Sequence, residues 1–175
     1  MKIKKELEIE KTYLIKYIPK DLFKYRSKDI EDLYIPKEAK HARLRIRKNG
    51  DYFVITKKIP VKNENASFHS EFNLEITEQE FNALHGSNCN TIKKTRFYYP
   101  YQKMVAEIDI FKGRHKGLVL VDFEFKNKSE LTKFEAPDFC LADVTEEDFT
   151  AGGVLCKNSF SKLSPYLKKF NYKKV

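Results

Sequence analysis

Charge that repeats with a period of two is the feature that most narrows the folds open to this chain. In "ELEIEKTYLI", residues 6–15, Glu6, Glu8 and Glu10 alternate with Leu7 and Ile9. An extended strand turns alternate side chains to opposite faces, so the carboxylates share one face and Leu7, Ile9, Tyr13 and Ile15 the other. The division recurs along the chain. "HARLRIR" sets Arg43, Arg45 and Arg47 against Leu44 and Ile46, the next segment carries Thr56 and Lys58, and "HSEFNLE" sets His69, Glu71, Asn73 and Glu75 against Phe72 and Leu74. Further on, "KKTRFYY" places Lys94 with Arg96, "VAEIDIF" Glu107 with Asp109, and "LVLVDFEF" Asp122 with Glu124.

Strand-like runs fall near 2–15, 40–48, 51–59, 67–76, 92–100, 103–112 and 117–126, which predicts a mainly β, α+β domain of antiparallel strands. "KNGD" at 48–51 joins two runs through an Asn-Gly turn, the strongest short hairpin signal. "YPYQK" and "KGRHKG" mark two further reversals. Helices are expected over 20–35 ("KDLFKYRSKDIEDLYI"), over 77–86 with Thr77 as N-cap and Glu80 at N3, and over 145–150 and 159–170. Gly152-Gly153 implies a tight turn or a close backbone approach.

The 175 residues suit one domain spanning 1–175. Charged residues make up 34% of the chain, above the usual share of about 25%, so the excess needs a place. No apolar run approaches the roughly 18 residues of a membrane span, and the N-terminus lacks the apolar core of a signal peptide, so a cytoplasmic protein is expected. Cys89, Cys140 and Cys156 are far apart with no C-x-x-C pair and read as reduced residues. A net charge of +9 points to an anionic partner, although lysines such as those of "YLKKFNYKKV" read simply as solvated surface.

A sheet whose charged face closes on itself forms a barrel with a polar lumen. The acidic clusters Glu8/Glu10, Glu107/Asp109 and Asp122/Glu124 then suit Mg²⁺ or Mn²⁺, which prefer carboxylate oxygen and are often shared with substrate phosphates. Arg45, Arg47, Lys58, Lys94 and Arg96 suit the phosphates, arginine through its bidentate fork and lysine as a point charge. Taken singly, each acidic pair reads more readily as cross-strand surface pairing. Repetition on every strand favours a metal and polyphosphate site. His41, His69, His85 and His115 show no zinc-ligand spacing and read as surface or core residues.

With these residues in place, the chain resembles the CYTH superfamily, the triphosphate tunnel metalloenzymes, over almost its full length. "EIEKTYL" resembles the family's E-x-E-x-K strand at Glu8 and Glu10, "RIRKNGDYFVITKK" its R-x-R hairpin closed by T-x-K, and "KKTRF" its K-x-R strand. "AEIDIFKGRHKGLVLVDFEF" resembles its E-x-D-x-F, glycine hairpin and acidic pair. Two positions depart: Thr12 stands at the signature lysine, with Lys11 one residue early on the opposite face, and Asn73 stands where glutamate is common.

The resemblance implies an eight-stranded antiparallel closed β-barrel tunnel with a few flanking helices, binding a small-molecule triphosphate with Mg²⁺ or Mn²⁺. It implies Glu8, Glu10, Asp122 and Glu124 as metal ligands and Arg45, Arg47, Lys58, Lys94 and Arg96 as phosphate clamps. Glu8, Glu10, Lys58 and Arg96 form the catalytic set, with Glu71, Glu75, Glu107 and Asp109 in support. The activity expected is metal-dependent hydrolysis of tripolyphosphate or a small organic triphosphate. Class IV adenylate cyclase chemistry, making cyclic AMP and pyrophosphate, is one alternative, and a non-catalytic binder of polyphosphate or an RNA 5′-triphosphate is another. General single-stranded nucleic-acid binding fits the net charge but leaves the ordered acidic pairs unexplained. A homodimer is compatible with such a domain.

Overall fold

Strands whose two faces differ this sharply must bury one and solvate the other. In the computed structural model, which describes residues 3–85 and 88–175, they do so by closing. Lys2 and Gly86, at the ends of two predicted segments, lie outside the described residues. The strands are β1 (Lys4–Ile15), β2 (Ser27–Ile35), β3 (Leu44–Asn49), β4 (Tyr52–Pro60), β5 (Phe68–Glu75), β6 (Asn90–Tyr101), β7 (Met104–Phe111), β8 (Val119–Glu124) and β9 (Cys140–Asp143). Their order is β5-β4-β3-β2-β6-β7-β8-β1-β9, and an added β1–β5 pairing closes the first eight into an antiparallel barrel.

β1 is the seam. Along one edge it pairs with β5 from Lys4↔Asn73 to Ile9↔Phe68, and then with β9 from Tyr13↔Asp143. Along the other it pairs with β8 from Glu10↔Glu124 to Leu14↔Leu120. The β3–β4 hairpin turns at the expected Asn-Gly, with Gly50 at φ 62°, a left-handed conformation that glycine adopts without strain.

The hydrophobic core lies on both sides of the barrel wall. Inside, Ile92, Phe111, Leu120 and Leu155 line one part of the otherwise charged lumen. On the outer face Ala106, Ile108, Val121 and Phe123 are almost fully buried and belong to one cluster with Leu163 and Leu167. The last two belong to a helix, α4 (Phe160–Lys169), where one was expected. Phe123 also meets Phe134, with ring centroids 4.6 Å apart. A smaller cluster sets Phe81 of α1 (Glu78–Leu84) against Leu33, Ile46 and Phe53. The predicted capping box opens α1: the Thr77 hydroxyl accepts from the Glu80 amide at 3.2 Å, and the Glu80 carboxylate accepts from the Thr77 amide at 2.7 Å.

Two helix expectations are corrected. Over 145–150 only a 3-10 turn forms, at Asp148–Thr150. The helix predicted over 20–35 is a short 3-10 turn at Leu22–Lys24 followed by β2. β2 is hydrogen-bonded to β3 and β6 and is buried on both faces: Leu33 joins the outer cluster while Asp32 and Tyr34 face inward. Double burial removes the alternation, and Ile30, Leu33 and Tyr34 happen to sit at helical spacing. β3 also begins later than expected, at Leu44, leaving Arg43 just before the strand. Among the described residues no helix is long and apolar enough to cross a membrane.

The Gly152-Gly153 approach is real. A Cβ on Gly152 would lie 1.9 Å from the Tyr34 hydroxyl oxygen, and one on Gly153 would lie 1.9 Å from the Ala42 carbonyl oxygen. Here the chain leaves β9, forms α3 (Gly152–Leu155) and presses on the barrel wall beside β2. Overpacking of this kind costs about 1–3 kcal/mol. Gly153→Ala, opposed by backbone, should therefore lower Tm by more than Gly152→Ala, opposed by a movable side chain; equal or negligible shifts in a thermal melt would contradict the packing described.

Candidate active site

Alternation places one face of each wall strand in a cavity of about 420 Å³. Glu8, Glu10, Arg45, Arg47, Lys58, Glu71, Lys94, Arg96, Glu107, Asp109, Asp122 and Glu124 all line it. Of the predicted site residues only Glu75 does not: it is exposed at the end of β5, opposite Val54. Asp32, Tyr34, His41, Arg43 and His69 also line the cavity without having been expected in the site. Tyr34 and Asp32 were hidden by the helical reading of β2, whereas His69 stands on the face that alternation assigns to the lumen.

The charges sort into separate groups. At the seam, the Lys58 ammonium lies 2.5 Å from Glu8, 3.3 Å from Glu10 and 3.6 Å from Glu71. Register explains the convergence, because Glu71 faces Glu6 on β1 and Lys58 on β4, while Glu8 faces His69. One cation among three carboxylates leaves an excess of negative charge. Burial, followed by repulsion from Glu10, pushes the Glu8 carboxyl up to about 8 despite Lys58. Burial also acts against Glu10, but Lys58 and His69 outweigh it and hold that carboxyl below its ordinary range. Burial and Lys58 push the His69 imidazole down. The ligand-capable atoms of Glu8, Glu10 and His69 lie within 4.8 Å of one another.

Across the lumen, Asp32 accepts from Arg47 Nε at 2.6 Å and from Nη2 at 2.8 Å, a bidentate fork. Arg45 is less engaged: Nε is 4.0 Å from Asp32 and has no hydrogen-bond partner among the described residues, and Nη2 reaches Thr56 only at 3.5 Å. The third group joins β6, β7 and β8. Arg96 donates to both Asp109 oxygens at 2.7 and 2.6 Å, to Glu107, and to Asp122 at 3.2 Å, while Lys94 donates to Asp109. Burial opposes the Asp109 charge, but Arg96 and Lys94 bring its carboxyl down to about 2. Burial drives the Lys94 ammonium down to about 8 against the pull of Asp109. It also pushes Asp122 up to about 6 against Arg96, with Asp109 and Glu10 adding to the rise.

The two unusual positions have defined surroundings. The Thr12 hydroxyl donates to Asp122 Oδ1 at 2.8 Å, and its amide donates to Thr145 Oγ1 at 3.1 Å. Lys11 points away and pairs with Asp143 at 3.2 Å. Asn73 donates to Glu71 at 2.8 Å and accepts from Thr56 at 2.7 Å. It thereby links the carboxylate group at the seam to the arginine side of the lumen.

A closed tunnel with this arrangement can hold an extended polyanion against arginines and lysines that are already oriented by buried carboxylates. Known proteins agree with the architecture. The CYTH domain model matches residues 6–162. An inorganic triphosphatase of Nitrosomonas europaea is 24% identical over 142 residues, which cover 80% of this chain and 90% of that protein. Among solved structures, an inorganic triphosphatase superposes with a TM-score of 0.61 at 22% identity, over 86% of this chain and 95% of its own. A Hippeastrum adenylyl cyclase candidate, described as having a dominant triphosphatase activity, superposes with a TM-score of 0.52 at 14% identity, over 97% of this chain and 90% of its own. At these identities the superpositions establish a common fold, and the match along most of the sequence establishes the family: the chain belongs to the CYTH domain family.

Proposed function

We propose that this chain is a divalent-metal-dependent triphosphatase, hydrolysing tripolyphosphate or a small organic triphosphate inside the tunnel. The observation that carries the reading is a closed lumen whose cations are held in distinct groups by buried carboxylates. Hydrolysis of a phosphoanhydride requires charge neutralisation and in-line geometry more than covalent chemistry.

Arg45, whose guanidinium is the least satisfied, and Arg47 present a positive wall to the phosphate oxygens. Lys94 and Arg96 do the same from β6, held in place by Asp109 and Glu107. Lys58 supplies a further cation next to Glu8 and Glu10. Water attacks the terminal phosphorus opposite the bridging oxygen and the P–O bond breaks, releasing phosphate together with pyrophosphate from tripolyphosphate or the organic diphosphate from an organic triphosphate. The proton of the attacking water passes to a carboxylate of the lumen and then to solvent.

The seam fits a divalent ion. Glu8, Glu10 and Glu71 all face the Lys58 ammonium, and burial, followed by repulsion from Glu10, pushes the Glu8 carboxyl up to about 8. Glu8 and Glu10 would hold the ion, with Asp122 and Glu124 on the adjoining strand. When bound, Mg²⁺ or Mn²⁺ neutralises phosphate charge and orients water.

Purified protein should release phosphate from tripolyphosphate, ATP or thiamine triphosphate with Mg²⁺ or Mn²⁺ and lose that activity in chelator. Glu10→Gln should reduce turnover at least about 100-fold, the scale expected for losing an electrostatic contribution of this kind. Cyclic AMP as the product from ATP would move the assignment to a cyclase, and tight triphosphate binding without any product would move it to a binding protein.

Orientation of the cations by Asp109 has a stability signature as well. Its folded-state pKa of about 2 lies below the ordinary 3.8, so the ion network stabilises the fold above that ordinary value and loses its contribution as pH falls toward 2. Asp109→Asn should cost about 3–5 kcal/mol near neutrality, the usual result of leaving buried charges unpaired. The Tm gap between wild type and variant should close as pH falls from about 4 to 2; a gap independent of pH would refute the assignment of Asp109 as a charged partner.

A further inference from the structure

We propose that His69 is a metal ligand beside Glu8 and Glu10, adding an imidazole nitrogen to the carboxylates of this chain's cation site and giving it a preference for transition-metal divalent ions such as Mn²⁺ over Mg²⁺. The inference rests on the reading of Glu8 and Glu10 as the ligands of the proposed triphosphatase and extends it to the identity of the ion.

Strand register carries the argument. His69 on β5 is the direct cross-strand partner of Glu8 on β1. Glu10, two residues along β1, points to the same face. A ring nitrogen of His69 and one oxygen from each glutamate all lie within 4.8 Å of one another. Two donors on opposite sides of a cation at about 2.2 Å each would be about 4.4 Å apart, so small side-chain adjustments suffice. Among the described residues Nδ1 of His69 is buried without a hydrogen-bond partner, a state that is uncommon for a polar atom unless another ligand or water serves it.

On the far side of the lumen Glu107 and Asp109 are already committed to Arg96 and Lys94, so the seam is where a cation finds donors. At the seam the competitor is Lys58, an ammonium on a flexible stem that can turn toward a phosphate when a metal replaces it. Donor chemistry then sets the selectivity. Mg²⁺ favours all-oxygen surroundings and retains water, whereas imidazole suits later divalent ions, whose affinities rise along the first transition row.

The test is calorimetric titration of the full chain with Mn²⁺ and with Mg²⁺, together with pulsed electron paramagnetic resonance of bound Mn²⁺ to detect coupling to ¹⁴N. Wild type should bind Mn²⁺ at least about tenfold more tightly than Mg²⁺ and show an imidazole nitrogen coupling. His69→Gln should lose the coupling and about tenfold in Mn²⁺ affinity while Mg²⁺ affinity changes little, which also shows that the variant is folded. His41→Gln should retain the coupling, which excludes the neighbouring histidine of the lumen as its source. Mn²⁺ bound without nitrogen coupling, or an unchanged Mn²⁺/Mg²⁺ ratio in His69→Gln, overturns the role of His69. Loss of cation binding in Glu8→Gln would in that case leave the metal reading standing. A wild-type protein that binds neither ion overturns both.

Discussion

Pairing of β1 with β5 turns a charged sheet face into an interior. Without it the same residues would form an open sheet with salt bridges in water, where each pair contributes little. With it, carboxylates and guanidinium groups are taken out of solvent and held by partners on neighbouring strands. Burial of so much charge is tolerable because both signs are present and most of the buried groups are ion-paired or hydrogen-bonded. The bidentate Arg47–Asp32 pair and the ion network by which Arg96 joins β6, β7 and β8 are consequences of that requirement.

Compensation is uneven, and the unevenness is informative. The β6–β7–β8 side is saturated with ion pairs, which hold Asp109 charged and pull the Arg96 guanidinium into a fixed plane. The seam is left with more carboxylate than ammonium, and the opposite wall leaves Arg45 with unused donors. On the proposed reading, a phosphate chain carrying a divalent ion would supply what both regions lack, and stability and ligand binding would draw on the same residues without demanding the same arrangement of them.

Much of this was legible because alternation is a local property. Glu8 with Glu10, Arg45 with Arg47, and Asp122 with Glu124 can each be assigned to a lumen face from neighbouring residues, and the Asn-Gly turn fixes the hairpin between β3 and β4. Asp32 and Tyr34 were not legible, because β2 is buried on both faces and loses the period that would reveal it. His69 was visible on its face but silent as a ligand: its partners lie on β1, far away in sequence, so no short spacing records the meeting. Glu75 shows the converse, since alternation gives the face of a residue but not the height at which a barrel wall ends.

The position of β1 as the seam also has a consequence for assembly in time. β1 is the first strand of the chain, yet its partners β5, β8 and β9 follow at increasing distances, with β9 ending at Asp143. Contacts of such long range close slowly, because chain entropy is lost before they form. On a ribosome the β3–β4 and β6–β7 hairpins can form as they emerge, while β1 waits, its glutamates solvated, until the C-terminal half exists. The strand made first is the last to be fully paired, and the alternating carboxylates that later line the tunnel are also what keeps an unpaired edge from associating with other chains during that interval.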